Sequence, residues 1–360
     1  MEGPRRLMGA GLQPAPEQSP YNGIPATRMD PLTHTATGLF LSRAGLNRWT
    51  PLATPILLLA ANAPDIDILA AAGGPLNYLH YHRHLTHSLV ALPVLAVLSV
   101  LVVRAASRKP LRWAGALAAA ALGVGSHLLL DWTNMYGLRA LLPFSSEWLR
   151  LDLTSIVDLW IWAVLLISVA GPFIARLVGS EISSGNVKGR PHGRGFAIFA
   201  LLFLLVYNCG RGFLHARASG ALDARLYEGA APLRVAALPN AANPFRWRGL
   251  IETGEFYAVE DVDLMGDFDP LRAAVFHKPA SDPAIDAARR APVLQEFLRF
   301  SQFPLWRITP AAEPENSTLV EVFDLRFGTP QEPGFMASAL LDSRLRVLKT
   351  SFQFGKLRAR

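Results

Sequence analysis

Cysteine is almost absent from this chain: Cys209 is the only one in 360 residues. A single thiol excludes an intramolecular disulfide framework and any zinc site built on cysteines. Its place within an apolar run reads as an inert packed thiol. Charge is scarce as well. Asp, Glu, Lys and Arg make up 18% of the residues against 51% hydrophobic, where soluble domains carry about 25% charge, and the mean hydropathy is +0.25. That balance leans towards a membrane. Also missing are a glycine-rich phosphate loop, a G-x-S-x-G elbow and an H-E-x-x-H helix, so the usual nucleotide-binding, serine-hydrolase and zinc-protease signatures do not apply. The net charge of +7 does not imply nucleic acid. The basic residues are scattered, and several sit between apolar runs, as in the cytoplasmic loops of membrane proteins. The expected partner is a lipid bilayer, and no nucleic acid is expected.

What is present falls into three parts. Residues 1 to 28 are rich in Pro, Gly and Ala, have no apolar period and read as disordered. They lack the apolar core of a signal peptide. Structured sequence starts abruptly at Met29, which is expected to be the true initiator. From Pro31 a helix with Thr33 as N-cap is expected to run to about Leu46. A second apolar segment, Pro51 to Ala63, ends at Pro64. Both are shorter than the roughly 20 residues of a full span, and read as short helices among longer ones or as a re-entrant pair. Four longer apolar segments follow: Ser88 to Val103, Leu111 to Leu130, Ser155 to Val178 and Gly195 to Leu214.

Arg104, Arg108, Lys109 and Arg112 lie between the first two segments, and Arg176, Lys188, Arg190 and Arg194 between the last two. The other connections hold only Arg83, Arg139 and Arg150. The positive-inside rule puts the basic loops in the cytoplasm and the opposite ends outside. Residues 216 to 360 alternate in segments such as "EFYAVEDVDL", "STLVEVFDLRF" and "RLRVLKTSFQF", with one amphipathic helix near Pro283 to Phe300. The expected architecture is an α-helical polytopic membrane domain over 29–215, followed by a smaller extracytoplasmic α+β soluble domain over 216–360.

The residues that carry chemistry gather at segment ends. "HYHRHLTHS", His80 to Ser88, holds four of the nine histidines. Histidine is the commonest metal ligand, although such a cluster also suits a polar cap at a membrane interface. "GVGSHLLLDW" places His127 and Asp131 at i and i+4, on one helix face, a spacing from which imidazole and carboxylate can share one ion. "PDID" offers Asp65 and Asp67 in a short loop, suited to a hard or borderline divalent cation or to a helix cap. Asp158 is an acid inside an apolar run, either functional or a helix N-terminal charge. His34 alone is more often a cap or a packed residue. Arg83 can pair bidentately with a phosphate or carboxylate, and Thr86 and Ser88 can cap the following span and orient His87. Alternation of the spans brings these pieces to one membrane face.

The order of these motifs resembles the bacterial YdjM (YbcI-like) family, described as inner-membrane, metal-dependent hydrolases. The resemblance rests on His34 in "THTATGLFLSRAGL", "PDID" at 64–67, "HRHLTHS" at 82–88 and "GVGSHLLLDWTNMYG" at 123–137, with Pro143 and Arg150 after them. It covers roughly residues 29 to 170. The family is distantly similar to the zinc-dependent phospholipase C and single-strand nuclease group, an analogy at fold level. The resemblance implies metal ligands His34, Asp65, Asp67, His87, His127 and Asp131, enough for one or two ions, expected to be zinc. It implies catalytic roles for His82, Arg83 and Asp158, with Arg83 and His82 binding the substrate anion. The expected activity is hydrolysis of a phosphoester, lipid or lipid-linked, by metal-activated water, at the periplasmic face of a bacterial inner membrane. A metal-binding or metal-transport protein would use the same cluster, but should place its acids near mid-span. A third possibility is a scaffold presenting the soluble domain, with a purely structural metal.

Overall fold

The computed structural model describes residues 31–182, 193–266 and 270–354. The expectations for residues 1 to 28 and Met29, and for Lys188 and Arg190, fall outside them.

Helix α1 (Pro31–Ala44) begins with proline at its first position, where no intrahelical N–H bond is lost. It ends two residues earlier than expected, passing into a 3-10 turn at Leu46–Arg48. The second apolar segment splits at Pro64. Helix α2 (Ala53–Ala60) is followed by a 3-10 segment, Pro64–Gly73, whose axis is bent by 46°. Helix α3 (Pro75–Tyr81) and a 3-10 turn at Leu85–His87 then lie at 86° to α4 (Ala91–Ser107). Helix α4 starts later than expected, and just before it the Ser88 hydroxyl oxygen accepts the N–H of Ala91. Helices α5 (Trp113–Thr133), α6 (Leu159–Ile182) and α7 (Arg194–Asp223) follow. Among the described residues three helices are long and apolar enough to cross a membrane, or up to five if each bent pair counts as one span.

Alanine and glycine make α5 the helix against which the others close. A Cβ on Gly123 would stand 2.9 Å from the Ala60 Cβ, and one on Gly38 would stand 2.8 Å from the Leu57 carbonyl oxygen. Such close approach is what small residues permit between membrane helices. It locks α2 between α1 and α5, with Ile56, Ala60, Ala116, Ala120 and Val124 fully buried. On α6 and α7, by contrast, Leu166, Ile167, Phe173, Leu205 and Val206 face outwards. This is the distribution expected where the surrounding solvent is hydrocarbon.

The C-terminal part contains two antiparallel four-stranded sheets. The first is a meander of β1 (Arg234–Pro239), β2 (Arg246–Glu252), β3 (Phe256–Asp263) and β4 (Ala274–His277). Two short helices, α8 (Pro283–Arg289) and α9 (Pro292–Phe300), precede the second. That sheet is β5 (Pro304–Ala311), β6 (Ser317–Asp324), β7 (Phe335–Leu341) and β8 (Val347–Phe354). The single amphipathic helix expected near Pro283 to Phe300 is therefore two, because Pro292 forces Ala291 into an extended conformation. The three alternating segments became β3, β6 and β8. The "NPFRWRG" stretch leads into β2.

These two parts share hydrophobic cores. The core of the second sheet, with Phe297, Phe300, Val322 and Phe335, also encloses Leu79 of α3 and Tyr136 after α5. The first sheet packs Trp247 and Ile251 on Ala218 and Leu222 of α7. Helix α7 is continuous through positions 215 and 216.

Candidate metal centre

Four elements deliver the site. His34 comes from the first turn of α1, Asp65 and Asp67 from the 3-10 segment after α2, His82 and His87 from the α3–α4 bend, and His127 and Asp131 from the last two turns of α5. The i,i+4 spacing in α5 places the last two on one face, as the sequence indicated. Both are essentially buried, and His87 is fully so.

Two three-residue groups converge, His87 with His127 and Asp131, and His34 with Asp65 and His127. His87 Nε2 lies 3.2 Å from His127 Nε2, and each is 3.5 Å from Asp65 Oδ1. Asp131 Oδ2 lies 3.3 Å from His87 Nε2 and 3.5 Å from His127 Nε2. A tetrahedral zinc site with bonds of about 2.0–2.1 Å has ligand–ligand edges of about 3.3–3.4 Å. The edges among His87, His127 and Asp131 match three ligands of such a site and leave its fourth position open. His34 belongs to the second group; its ring stacks on His127 at 3.7 Å and its Nε2 lies 3.6 Å from Asp131 Oδ1.

The surroundings fix how the imidazoles present themselves. His127 Nδ1 is 2.7 Å from the Ala61 carbonyl oxygen, which can only accept, so Nδ1 carries the proton. His87 Nδ1 is 3.2 Å from Asp67 Oδ2 and 3.1 Å from the Thr86 hydroxyl. In the neutral form both rings then turn unprotonated Nε2 atoms towards each other. Two lone pairs facing at 3.2 Å repel unless a proton or a metal ion lies between them. With three aspartates and Arg83 charged and every imidazole neutral, the cluster would carry −2. Burial opposes a charge on His87, but its hydrogen bonds to Asp131, Asp65 and Asp67 raise its pKa to about 10, so a proton there or a bound cation offsets part of that charge.

Asp67 has a different position from Asp65. Its Oδ2 accepts the backbone N–H of Arg83 at 2.7 Å and the Thr86 hydroxyl at 3.2 Å, and its Oδ1 lies 3.3 Å from His82 Nδ1. It is a carboxylate behind His87 rather than one of the converging atoms, the arrangement by which metal-binding histidines are commonly oriented. His82 stacks on Tyr78 at 4.5 Å and braces Asp67. Arg83 adopts a left-handed conformation, φ 53°, uncommon and costly for a residue other than glycine. That turn carries its guanidinium inwards. Nη2 pairs with Asp131 Oδ1 at 2.9 Å, and Nη1 donates to Asn134 Oδ1 and the Gly137 carbonyl at 3.2 and 2.8 Å. Asp158 accepts the N–H groups of Trp160 and Ile161 and the Tyr207 hydroxyl, so it caps α6. It also lines a small cavity shared with His34, Arg83 and Asp131.

Two residues of the surroundings had no role assigned from sequence. Asn134 organises the turn after α5, its Oδ1 accepting the N–H groups of Tyr136 and Gly137. An asparagine closing a helix three residues before a glycine is a legible turn signal. Tyr136 places its ring 4.7 Å from the Arg83 guanidinium carbon, a contact with no sequence signature. The segment beyond is tied to the C-terminal part through Arg150, which donates to Gln302 at 2.7 Å and pairs with Asp152. Burial pushes the Asp152 carboxyl above its ordinary range even with that guanidinium beside it.

Comparison with known proteins bears on both parts. A family described as the YfhP C-terminal alpha/beta plait domain matches residues 283–358, covering α8, α9 and the second sheet. No curated protein and no solved structure matches the chain. The family described as YdjM inner membrane protein matches residues 29–218, more than half of the chain and all of the elements that build the buried His/Asp cluster. This chain belongs to the YdjM inner membrane protein family.

Proposed function

We propose that this protein is a membrane-embedded, metal-dependent hydrolase acting on a phosphoester, lipid or lipid-linked. The observation that carries the reading is the buried His/Asp cluster, in which His87, His127 and Asp131 form one group able to hold an ion and His34, Asp65 and His127 form another. A divalent ion bound there supplies Lewis-acid chemistry and activates water near neutral pH. The protein's own groups do the rest. Ala61 and Asp67 hold the two imidazoles in the tautomer that exposes Nε2. Arg83 fixes Asp131 and keeps a cationic group beside the cluster. His82 and Thr86 keep Asp67 aligned, and Asp158 holds the start of α6 against the adjoining cavity. The cluster lies at helix ends rather than mid-helix, which favours chemistry at the bilayer interface over ion passage.

Metal content is the direct test. Purified full-length protein should hold one or two equivalents of zinc, and His127→Ala and Asp131→Ala should lose it. Stoichiometric metal together with hydrolysis of a phosphoester panel, both lost in these variants, would establish the reading. A well-folded wild-type protein that takes up no metal would remove it. The same residues also suit a structural ion; in that case metal removal unfolds the helices and no substrate in the panel turns over.

The positive-inside pattern supports a periplasmic site and C-terminal part. Phe144, 85% exposed in the loop beside the site, gives the check. In a Cys209→Ser background, Phe144→Cys should react with a membrane-impermeant thiol reagent added to intact spheroplasts, and labelling only after lysis would reverse the orientation.

A further inference from the structure

The end of the helical part opposite the His/Asp cluster is basic. His34 lies in the first turn of α1 and Asp131 near the end of α5, so the far ends of these two helices are Ala44 and Trp113. Four arginines from four elements stand around them. Arg43 is in the last turn of α1, Arg48 in the 3-10 turn that follows, Arg112 just before α5, and Arg194 at the start of α7.

They form two neighbouring pairs. Arg194 Nε donates to the Ala44 carbonyl oxygen at 3.1 Å, and a Cβ on the adjacent Gly193 would meet the Arg43 Cδ at 3.7 Å. Arg112 Nη1 donates to the Arg48 carbonyl oxygen at 3.4 Å, and the Arg112 backbone N–H to the Thr50 hydroxyl oxygen at 3.1 Å. Among the described residues none of the four pairs with a carboxylate. The acids between residues 31 and 180, namely Asp65, Asp67, Asp131, Glu147, Asp152 and Asp158, belong to the other end of the helices. Arg43 gives the more specific sign: its Nη1 is buried and has no partner. A buried donor left in that state calls for a missing acceptor. Beside the arginines the surface is apolar. Ile198 and Leu202 follow Arg194 at i+4 and i+8, on the same face of α7, and both are exposed. Trp49 and Trp113, exposed as well, adjoin Arg48 and Arg112, as aromatic side chains do at headgroup level.

We propose that these four arginines bind the phosphate of an anionic phospholipid, with an acyl chain lying along Ile198 and Leu202. A guanidinium fork matches phosphate oxygens, and basic pockets between membrane helices are where anionic headgroups are held. The direct passage from charge to exposed apolar face on α7 selects a lipid over a soluble phosphate. The site is separate from the His/Asp cluster, and its assignment does not depend on the hydrolase reading.

The test is native mass spectrometry of the full-length protein in non-ionic detergent, titrated with phosphatidylglycerol or phosphatidylcholine. Wild type should bind phosphatidylglycerol more tightly. Arg43→Gln with Arg194→Gln should lower that affinity by roughly 30-fold, the scale of two basic groups lost at an anionic headgroup. Arg43→Lys with Arg194→Lys keeps the charge and should keep most of the binding. Arg108→Gln with Lys109→Gln removes the same charge from the α4–α5 connection and should leave the affinity nearly unchanged. Equal binding of the two lipids by wild type, or equal losses in the two charge-removing variants, would overturn the site. Should the first variant fail to fold, Arg48→Gln with Arg112→Gln gives the same readout. Displacement of the lipid by glycerol 3-phosphate would assign a soluble phosphate and overturn the lipid.

Discussion

At the residue scale, the two acids of "PDID" divide their work. Asp65 Oδ1 lies 3.5 Å from both converging Nε2 atoms, whereas Asp67 is held by Arg83, Thr86 and His82 behind His87. Asp65→Ala should therefore abolish stoichiometric zinc, while Asp67→Asn should weaken zinc binding by about 10–100-fold, as removal of an orienting partner does. Chelator competition measures both. Equal losses in the two variants would mean that Asp67 binds the ion directly. The sequence made both carboxylates visible as candidates but could not rank them. Two aspartates two residues apart have the same spacing whichever one turns inwards. That choice is made by the left-handed backbone at Arg83, which aims its N–H at Asp67, and no residue type announces it. His34 is the opposite case. It carried little meaning by itself, and it gains one only because Gly38 lets α1 approach α2 closely enough to stack His34 on His127.

At the element scale, the site depends on one close contact. Ala61, whose carbonyl sets the tautomer of His127, follows α2, and α2 is pressed onto α5 where Gly123 meets Ala60. Gly123→Leu should cost about 1–3 kcal/mol of stability by overpacking, and should also weaken zinc binding as Ala61 is pushed from His127. Thermal melts in detergent and zinc titration read the two effects, and an intact zinc affinity in a destabilised variant would uncouple them. The long apolar helices α5, α6 and α7 were legible because hydropathy over about 20 residues is a strong signal. The bent pairs were less so. A run such as Pro51 to Ala63 gives its length but not the 46° turn after it, which depends on what the chain packs against. In the C-terminal part the alternating strands were clear, while β1, β4, β5 and β7 were not. Strand β7 is buried at six of its seven positions, and so shows no alternation.

At the scale of the whole molecule, the C-terminal part reaches Arg83 through an aromatic ring. Tyr136 lies 5.0 Å from Phe300, 5.9 Å from Phe327 and 6.4 Å from Phe335, while Arg83 rests on its face and pairs with Asp131. Its hydroxyl is buried and has no partner. Tyr136→Phe should therefore melt at or above the wild-type temperature and keep its zinc affinity. Tyr136→Ala should lose about 3–5 kcal/mol, the usual cost of emptying a large aromatic site, and bind zinc more weakly because Arg83 loses its platform. If Tyr136→Phe were as damaging as Tyr136→Ala, the hydroxyl and not the ring would carry the contact. The role of the second sheet was hidden in the sequence for a plain reason: its link to Arg83 runs through Tyr136 to Phe300, Phe327 and Phe335, residues far apart along the chain, and no local pattern reports such a contact.

Helix α7 has 30 residues, about 45 Å at 1.5 Å per residue, against a hydrocarbon layer of about 30 Å. Its far end holds Ala218 and Leu222 in the core of the first sheet, so it is a mast planted in the bilayer with a sail fixed to its top. A helix longer than the layer it crosses accommodates by tilting, and here a tilt would swing the sheets with it.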